Sequence, residues 1–210
     1  VSDPAGYPVM TSNDDAAILR WTGQGPYVSP WVSVRAQDFR AVAICSFFID
    51  HLNTWQDPRI SLTYGTAGVN RWGIAPGANG FTGIASGYAP GTGDPKGSYF
   101  YATDSKAGSP AQTPPPVCLQ TDPMTGMIMN YAELQFILCE CVAKGWINGS
   151  AESYYNSGVQ NSITQWLPNW TVPVTDYLTG ADMQWDDAAS LDDKMEKIML
   201  QKYYAMFCTD

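Results

Sequence analysis

The sequence predicts a mainly α protein, built from helical pairs that carry a long irregular region with a few short strands. Three observations predict it. Apolar residues recur at helical spacing in several separate segments, of which "NYAELQFILCECVAKGW", residues 130–146, is the most regular. Capping residues stand where those patterns start and stop. Between them, residues 60–129 hold most of the glycines and the consecutive prolines Pro114 to Pro116, with no sustained period.

Along the chain, residues 1–34 read as loop, because Pro4, Pro8, Pro26 and Pro30 interrupt any long helix. A helix is expected over residues 35–55, where Phe39, Val42, Ala43, Phe47, Leu52 and Trp55 keep near-helical spacing. It should end before Pro58, whose ring pushes residue 57 out of the helical region. Within the irregular 60–129 insertion, "ISLTY" (60–64) and "SYFYA" (98–102) are candidate strands. An irregular stretch of that length in a compact domain is usually functional or covered by neighbouring structure.

A helical hairpin is expected over 130–166. Asn130 is a favourable N-cap, and Glu133 stands three residues on, where its carboxylate can reach back to the cap. Gly145 can end the first helix in the left-handed conformation. The second helix starts at Ser150; Tyr155, Val159, Ser162, Ile163 and Trp166 form its inward stripe, and Gly158 lets a neighbour approach. A Pro- and Asp-containing loop leads to a terminal helix over 190–208. Ser190 and Asp193 cap it, and Leu191, Met195, Ile198, Met199 and Met206 give it an apolar face. The chain is treated as one domain portion, residues 1–210.

With 45% hydrophobic and 15% charged residues, the chain should fold. Its net charge of −9 argues against nucleic acid and anionic membrane surfaces, which attract Lys/Arg clusters. The cysteines (Cys45, Cys118, Cys139, Cys141, Cys208) are odd in number and sit partly in helical patterns, so a disulfide framework is not expected. Neither a signal peptide nor a run of about 18 apolar residues is present. Starting at Val1 and stopping at Asp210, the chain reads as a trimmed or fragmentary product.

No reaction centre assembles in the sequence. Glu133 and Glu140 stand seven residues apart on one helix, roughly 10.5 Å along its axis. Glycosidase carboxylates lie about 5–5.5 Å or about 6.5–9.5 Å apart across the scissile bond, which one helix face serves poorly. His51 is the sole histidine, so a multi-histidine zinc site within this chain is excluded, and no nucleophile elbow accompanies it. "GTGDPKGS" (91–98) lacks phosphate-loop spacing. The acid pairs Asp14–Asp15, Asp186–Asp187 and Asp192–Asp193 leave a structural calcium ion open, without EF-hand spacing. No other cofactor is expected.

What remains is a helical base presenting a loop region rich in aromatic and small polar residues. Tyr64, Arg71, Trp72, Phe81 and Tyr88, with Tyr99 and Tyr101, are its candidate ring-stacking and polar contacts, and Asn70 and Asn79 its candidate amides. Aromatic faces suit sugar rings, and amides bind hydroxyls; loops held by a scaffold are where such sites concentrate.

The stretch "YAELQFILCECVAKGWINGSAESYYNSGVQNSI" (131–163) resembles the helix pair of SusD/RagB-type proteins. Tyr131, Ala132, Glu133, Phe136, Glu140, Lys144, Gly145, Trp146, Tyr155, Gly158, Val159 and Ser162 carry the likeness. "DPR" (57–59) and "LQKYYAMF" (200–207) are similar to that family too. The resemblance implies an α-superhelix with tetratricopeptide-like helix pairs. It further implies a lipid-anchored, non-catalytic protein on the extracellular face of the outer membrane, capturing glycans for a SusC-type TonB-dependent transporter. Oligopeptide capture, a protein–protein docking module, and a hydrolase using Asp14 or Asp187 are the alternatives. Members are typically about twice this length, so the remaining segments of a full-length chain are expected partners.

Overall fold

Three helix starts are fixed by side chains that satisfy backbone N–H groups the helix itself leaves open. The computed structural model describes residues 3, 5–22, 24–27, 44–66, 68–87, 97–100 and 125–207. Its described elements are β1 (Ala17–Arg20), α1 (Ser46–Thr54), β2 (Ile74–Ala75), β3 (Tyr99–Phe100), β4 (Thr125–Met129), α2 (Tyr131–Ala143), α3 (Ala151–Thr164), α4 (Val174–Gly180) and α5 (Leu191–Ala205). Asn130 Oδ1 accepts the Glu133 N–H at 2.6 Å, Ser150 Oγ that of Ser153 at 3.1 Å, and Ser190 Oγ that of Asp193 at 3.1 Å. The protein is mainly helical, as expected, and falls into two compact units: residues 1–19 with 125–210, and residues 20–124.

In the first unit, α2 ends in a Schellman motif: Gly145 adopts φ 71°, Trp146 N–H donates to Cys141 O and Gly145 N–H to Val142 O. The chain turns and α3 returns antiparallel. Cys139 Sγ donates to Ala151 O at 3.2 Å, and Phe136 meets Tyr155 edge-on at 6.2 Å. A Cβ on Gly158 would lie 2.8 Å from the Phe136 ring, so glycine lets α2 and α3 close. Helix α5 lies along α2, with Lys202 Nζ 3.5 Å from Glu133 Oε1. The Glu133 carboxylate thus reaches across to a neighbouring helix, where the sequence suggested it would turn back to its own cap. Asn13 Nδ2 donates to Asn161 O, tying the 3₁₀ turn Asn13–Asp15 to α3.

Some expectations are corrected. In α5 the buried residues are Ile198, Gln201, Tyr204 and Ala205, while Leu191 and Met199 are exposed. The helix turns its buried face by a fraction of a turn from the most apolar stripe. Short α4, with Tyr177 and Leu178 buried, occupies part of what reads as loop. Residues 17–20 form a strand paired with β4. Among the described residues, no helix is long and apolar enough to cross a membrane.

In the second unit, α1 buries Phe48, Ile49 and Leu52, with Trp55 beside them, whereas Phe47, counted inward in the sequence, is exposed. Residues 35–43 of the expected helix lie outside the described residues. The helix stops at Thr54, and Gln56 takes a left-handed φ of 51° as Asp57 N–H donates back to Leu52 O. Pro58 therefore starts the next element: "ISLTY" is no strand. Two 3₁₀ turns, Pro58–Ile60 and Leu62–Tyr64, span it, each opened by a side-chain cap from Asp57 or Ser61. These local caps outweigh the β-propensity of the segment. β2 and β3 pair antiparallel, Ile74 opposite Phe100 and Ala75 opposite Tyr99. Residues 101–102 of the second candidate strand are outside the described set.

Candidate functional site

A buried ion pair stands at the start of the loop region. Asp57 caps the turn that carries Arg59, so both side chains leave the same turn and meet. Arg59 Nε donates to Asp57 Oδ1 at 2.8 Å and Nη2 to Oδ2 at 2.7 Å. Both side chains are fully buried. The guanidinium carbon stands 5.0 Å from the centre of the Trp72 ring, and the Phe48 ring lies 5.8 Å from the same indole. A planar cation over an indole, itself held by a carboxylate, gives this unit a rigid centre.

Trp72 is 0% exposed. It is part of that centre and presents no face to a ligand. Asn70 is also fully buried: its Nδ2 donates to Ile74 O at 2.6 Å and its Oδ1 accepts the Ile74 N–H at 3.0 Å. With Gly73 at φ 70°, this closes the turn that feeds β2. Tyr64, at the end of its 3₁₀ turn, is 38% exposed. Arg71 and Phe81 are half-buried, and the Phe81 carbonyl accepts from Asn53 Nδ2 at 2.7 Å, which fixes the loop to α1. Asn79 is exposed. Tyr88 and Tyr101 lie outside the described residues. The structure therefore separates the candidates into internal supports (Trp72, Asn70) and accessible or partly accessible groups (Tyr64, Arg71, Phe81). Exposed Phe47 and Leu62 were not singled out as site residues in the sequence. Their signal was hidden, because in sequence an outward apolar residue looks like an inward one.

The acids have structural partners. Glu133 faces Lys202, and Glu140 pairs with Lys144 one turn on. Asp187 accepts the Trp185 indole N–H at 2.8 Å. Asp15 accepts from both the backbone and the hydroxyl of Thr11, which holds its carboxyl below the usual range. His51 Nδ1 lies 2.7 Å from Phe47 O, within its own helix. Among the described residues, no three His, Cys, Asp or Glu side chains are grouped to hold a metal. Cys45, Cys139 and Cys141 are free thiols, and burial pushes Cys139 up to about 12.

One unit is thus built of capped, packed helices, and the other of irregular chain around buried aromatic and charged side chains. The chain belongs to the SusD-like family: a family model described as "Starch-binding associating with outer membrane" matches residues 1–210. Solved structures share the fold. A SusD homolog from Bacteroides fragilis is 23% identical with a TM-score of 0.65, covering 98% of this chain and 45% of its own. A chitin-binding SusD homolog from Flavobacterium johnsoniae is 20% identical with a TM-score of 0.66, over 95% of this chain and 40% of its own. One from Parabacteroides distasonis is 18% identical with a TM-score of 0.60, over 99% and 45%. The chain thus spans less than half the length of these relatives. No curated protein sequence matches it.

Proposed function

We propose that the chain is part of a non-catalytic surface protein that captures glycans for import through a SusC-type TonB-dependent transporter. The protein is lipid-anchored on the extracellular face of the outer membrane in its full-length form. The observation that carries this reading is the match of the whole chain to a starch-binding, outer-membrane-associated family. A chitin-binding relative of the same fold supports a glycan as the ligand class. The roles of the acids agree with binding without turnover, since Glu133 and Glu140 are each engaged by a lysine. Within the loop unit we assign ligand contact to Tyr64, Arg71 and Phe81, with Trp72 and Asn70 as the supports beneath. Tyr64 supplies a ring face, and Arg71 supplies donors for hydroxyls.

A second reading, capture of basic oligopeptides, draws on the net charge of −9. Calorimetric titration of the full-length protein with starch oligosaccharides, chitin oligosaccharides and Lys-rich peptides separates the two. Saturable binding of an oligosaccharide, weakened by Tyr64→Ala, is the expected result. Binding of the peptides alone would replace glycan by peptide. Co-purification from outer membranes tests the transporter, and its absence would remove that partner.

A further inference from the structure

An open pocket of about 360 Å³ lies on the surface of the helical unit, among residues 125–210, and none of the loop-unit candidates lines it. Its walls include Val142 and Ala143 at the end of α2 and Ser150 at the start of α3. Trp185 and Asp187 come from the α4–α5 connection, and Lys194 from the first turn of α5. The volume falls at the small end of ligand sites.

The polar groups are pre-positioned. Trp185 packs at 5.4 Å against buried Tyr155, whose hydroxyl donates to Met183 O at 3.0 Å. The indole N–H is fixed on Asp187 Oδ1, and Lys194 Nζ donates to the Asp187 carbonyl at 2.7 Å. Each group keeps capacity to spare. Lys194 has three donors, Asp187 has a second carboxylate oxygen, and the Ser150 hydroxyl accepts the Ser153 N–H while retaining its own proton to donate.

A ligand of either charge is attracted by one of Asp187 and Lys194 and repelled by the other, so the lining selects neither sign. An apolar ligand would strip water from an ammonium and a carboxylate without replacing it. A neutral ring with adjacent hydroxyls that donate and accept, and an apolar C–H face, satisfies the ammonium, the carboxylate, the hydroxyl and the indole together. We infer that this pocket is a second sugar subsite, taking one neutral pyranose unit; the inference rests on the glycan-binding reading above.

The test follows the indole N–H NMR signals of the tryptophans, with Trp185 assigned through Trp185→Phe. The protein is titrated with glucose, N-acetylglucosamine, their oligomers and glycylglycine. A saturable shift of the Trp185 signal with sugar is expected. Asp187→Asn, which preserves shape, should weaken it by roughly tenfold or more. Ala143→Phe should abolish it by filling the space, and Tyr64→Ala should leave it intact. Should Ala143→Phe not fold, Asp187→Asn carries the test. A static Trp185 signal while calorimetry shows the same sugar binding overturns the subsite and leaves glycan capture standing. A response to glycylglycine alone overturns the sugar assignment, and a static Trp185 signal together with no calorimetric binding of any sugar overturns both readings.

Discussion

Arg59 grips both carboxylate oxygens of Asp57 in the interior of the loop unit, two residues away in sequence and with no solvent at either side chain. Desolvating two charges is repaid only by such bidentate geometry, so the pair tolerates no half-measure. Asp57→Ala takes the bidentate carboxylate from a buried guanidinium and removes the cap of the 3₁₀ turn. The unit should lose about 3–5 kcal/mol. Urea denaturation measures it; a loss below about 1 kcal/mol would mean that water reaches Arg59.

Trp72 and Tyr64 should behave oppositely, although both are loop aromatics. Trp72→Ala removes a fully buried indole from between Arg59 and Phe48 and should cost about 3–5 kcal/mol in stability. Tyr64→Ala trims a partly exposed ring and should leave the melting temperature almost unchanged while weakening oligosaccharide binding. Paired melting and titration experiments check this; Trp72→Ala with native stability and lost binding would reverse the assignment.

That contrast shows what sequence carries and what it does not. Asn130, Ser150, Ser190 and Gly145 act on backbone within a few residues, so the helix ends were legible one by one. The α2–α3 pair was legible for the same reason, together with Gly158 opposite Phe136. The burial of Trp72 depends on Phe48, 24 residues earlier, and on Arg59, 13 residues earlier, coming against its ring. The outward turn of Phe47 and Met199 depends on which face finds a neighbour, and apolarity alone does not encode it. The pocket joins Val142 to Trp185 across the hairpin and α4, a juxtaposition with no local signature.

Gly158→Val should test the closest approach of α2 and α3. The first added carbon would already stand 2.8 Å from the Phe136 ring, which is fully buried against Tyr155 and has nowhere open to move. Overpacking of this kind costs about 1–3 kcal/mol. A stability equal to the parent in thermal unfolding would show that the helices can part without penalty.

Alkaline pH should weaken the helical unit. Burial raises the Cys139 thiol from 9.0 to about 12, and burial, with Cys139 nearby, pushes the Tyr155 hydroxyl upward from 10.0. Both groups stay protonated in the folded chain while the unfolded chain ionises. The stability from Cys139 is therefore fully present below pH 9.0 and is lost as pH rises from 9.0 towards about 12, while that from Tyr155 starts to fall only above 10.0. Each group steepens the decline by at most about 1.4 kcal/mol per pH unit. Urea titrations across that range should show the fall starting later in Cys139→Ala. A profile identical to the parent would mean that Cys139 ionises in the folded protein.

The two glutamates of α2 give the sharpest test of whether this helix does chemistry. Their lysine contacts reach solvent in part, with side-chain exposures of 19% for Glu133 and 24% for Glu140. Such pairs contribute between about 0 and 1 kcal/mol each. The Glu133 backbone N–H, not its carboxylate, completes the cap on Asn130, and that bond survives a change of side chain. The double variant Glu133→Gln, Glu140→Gln keeps the volume and removes both charges. It should unfold within about 2 kcal/mol of the parent and bind oligosaccharide equally well. If the parent released reducing ends from a bound glycan and the double variant did not, α2 would be a catalytic helix, and the reading of this protein as a binder would have to be abandoned.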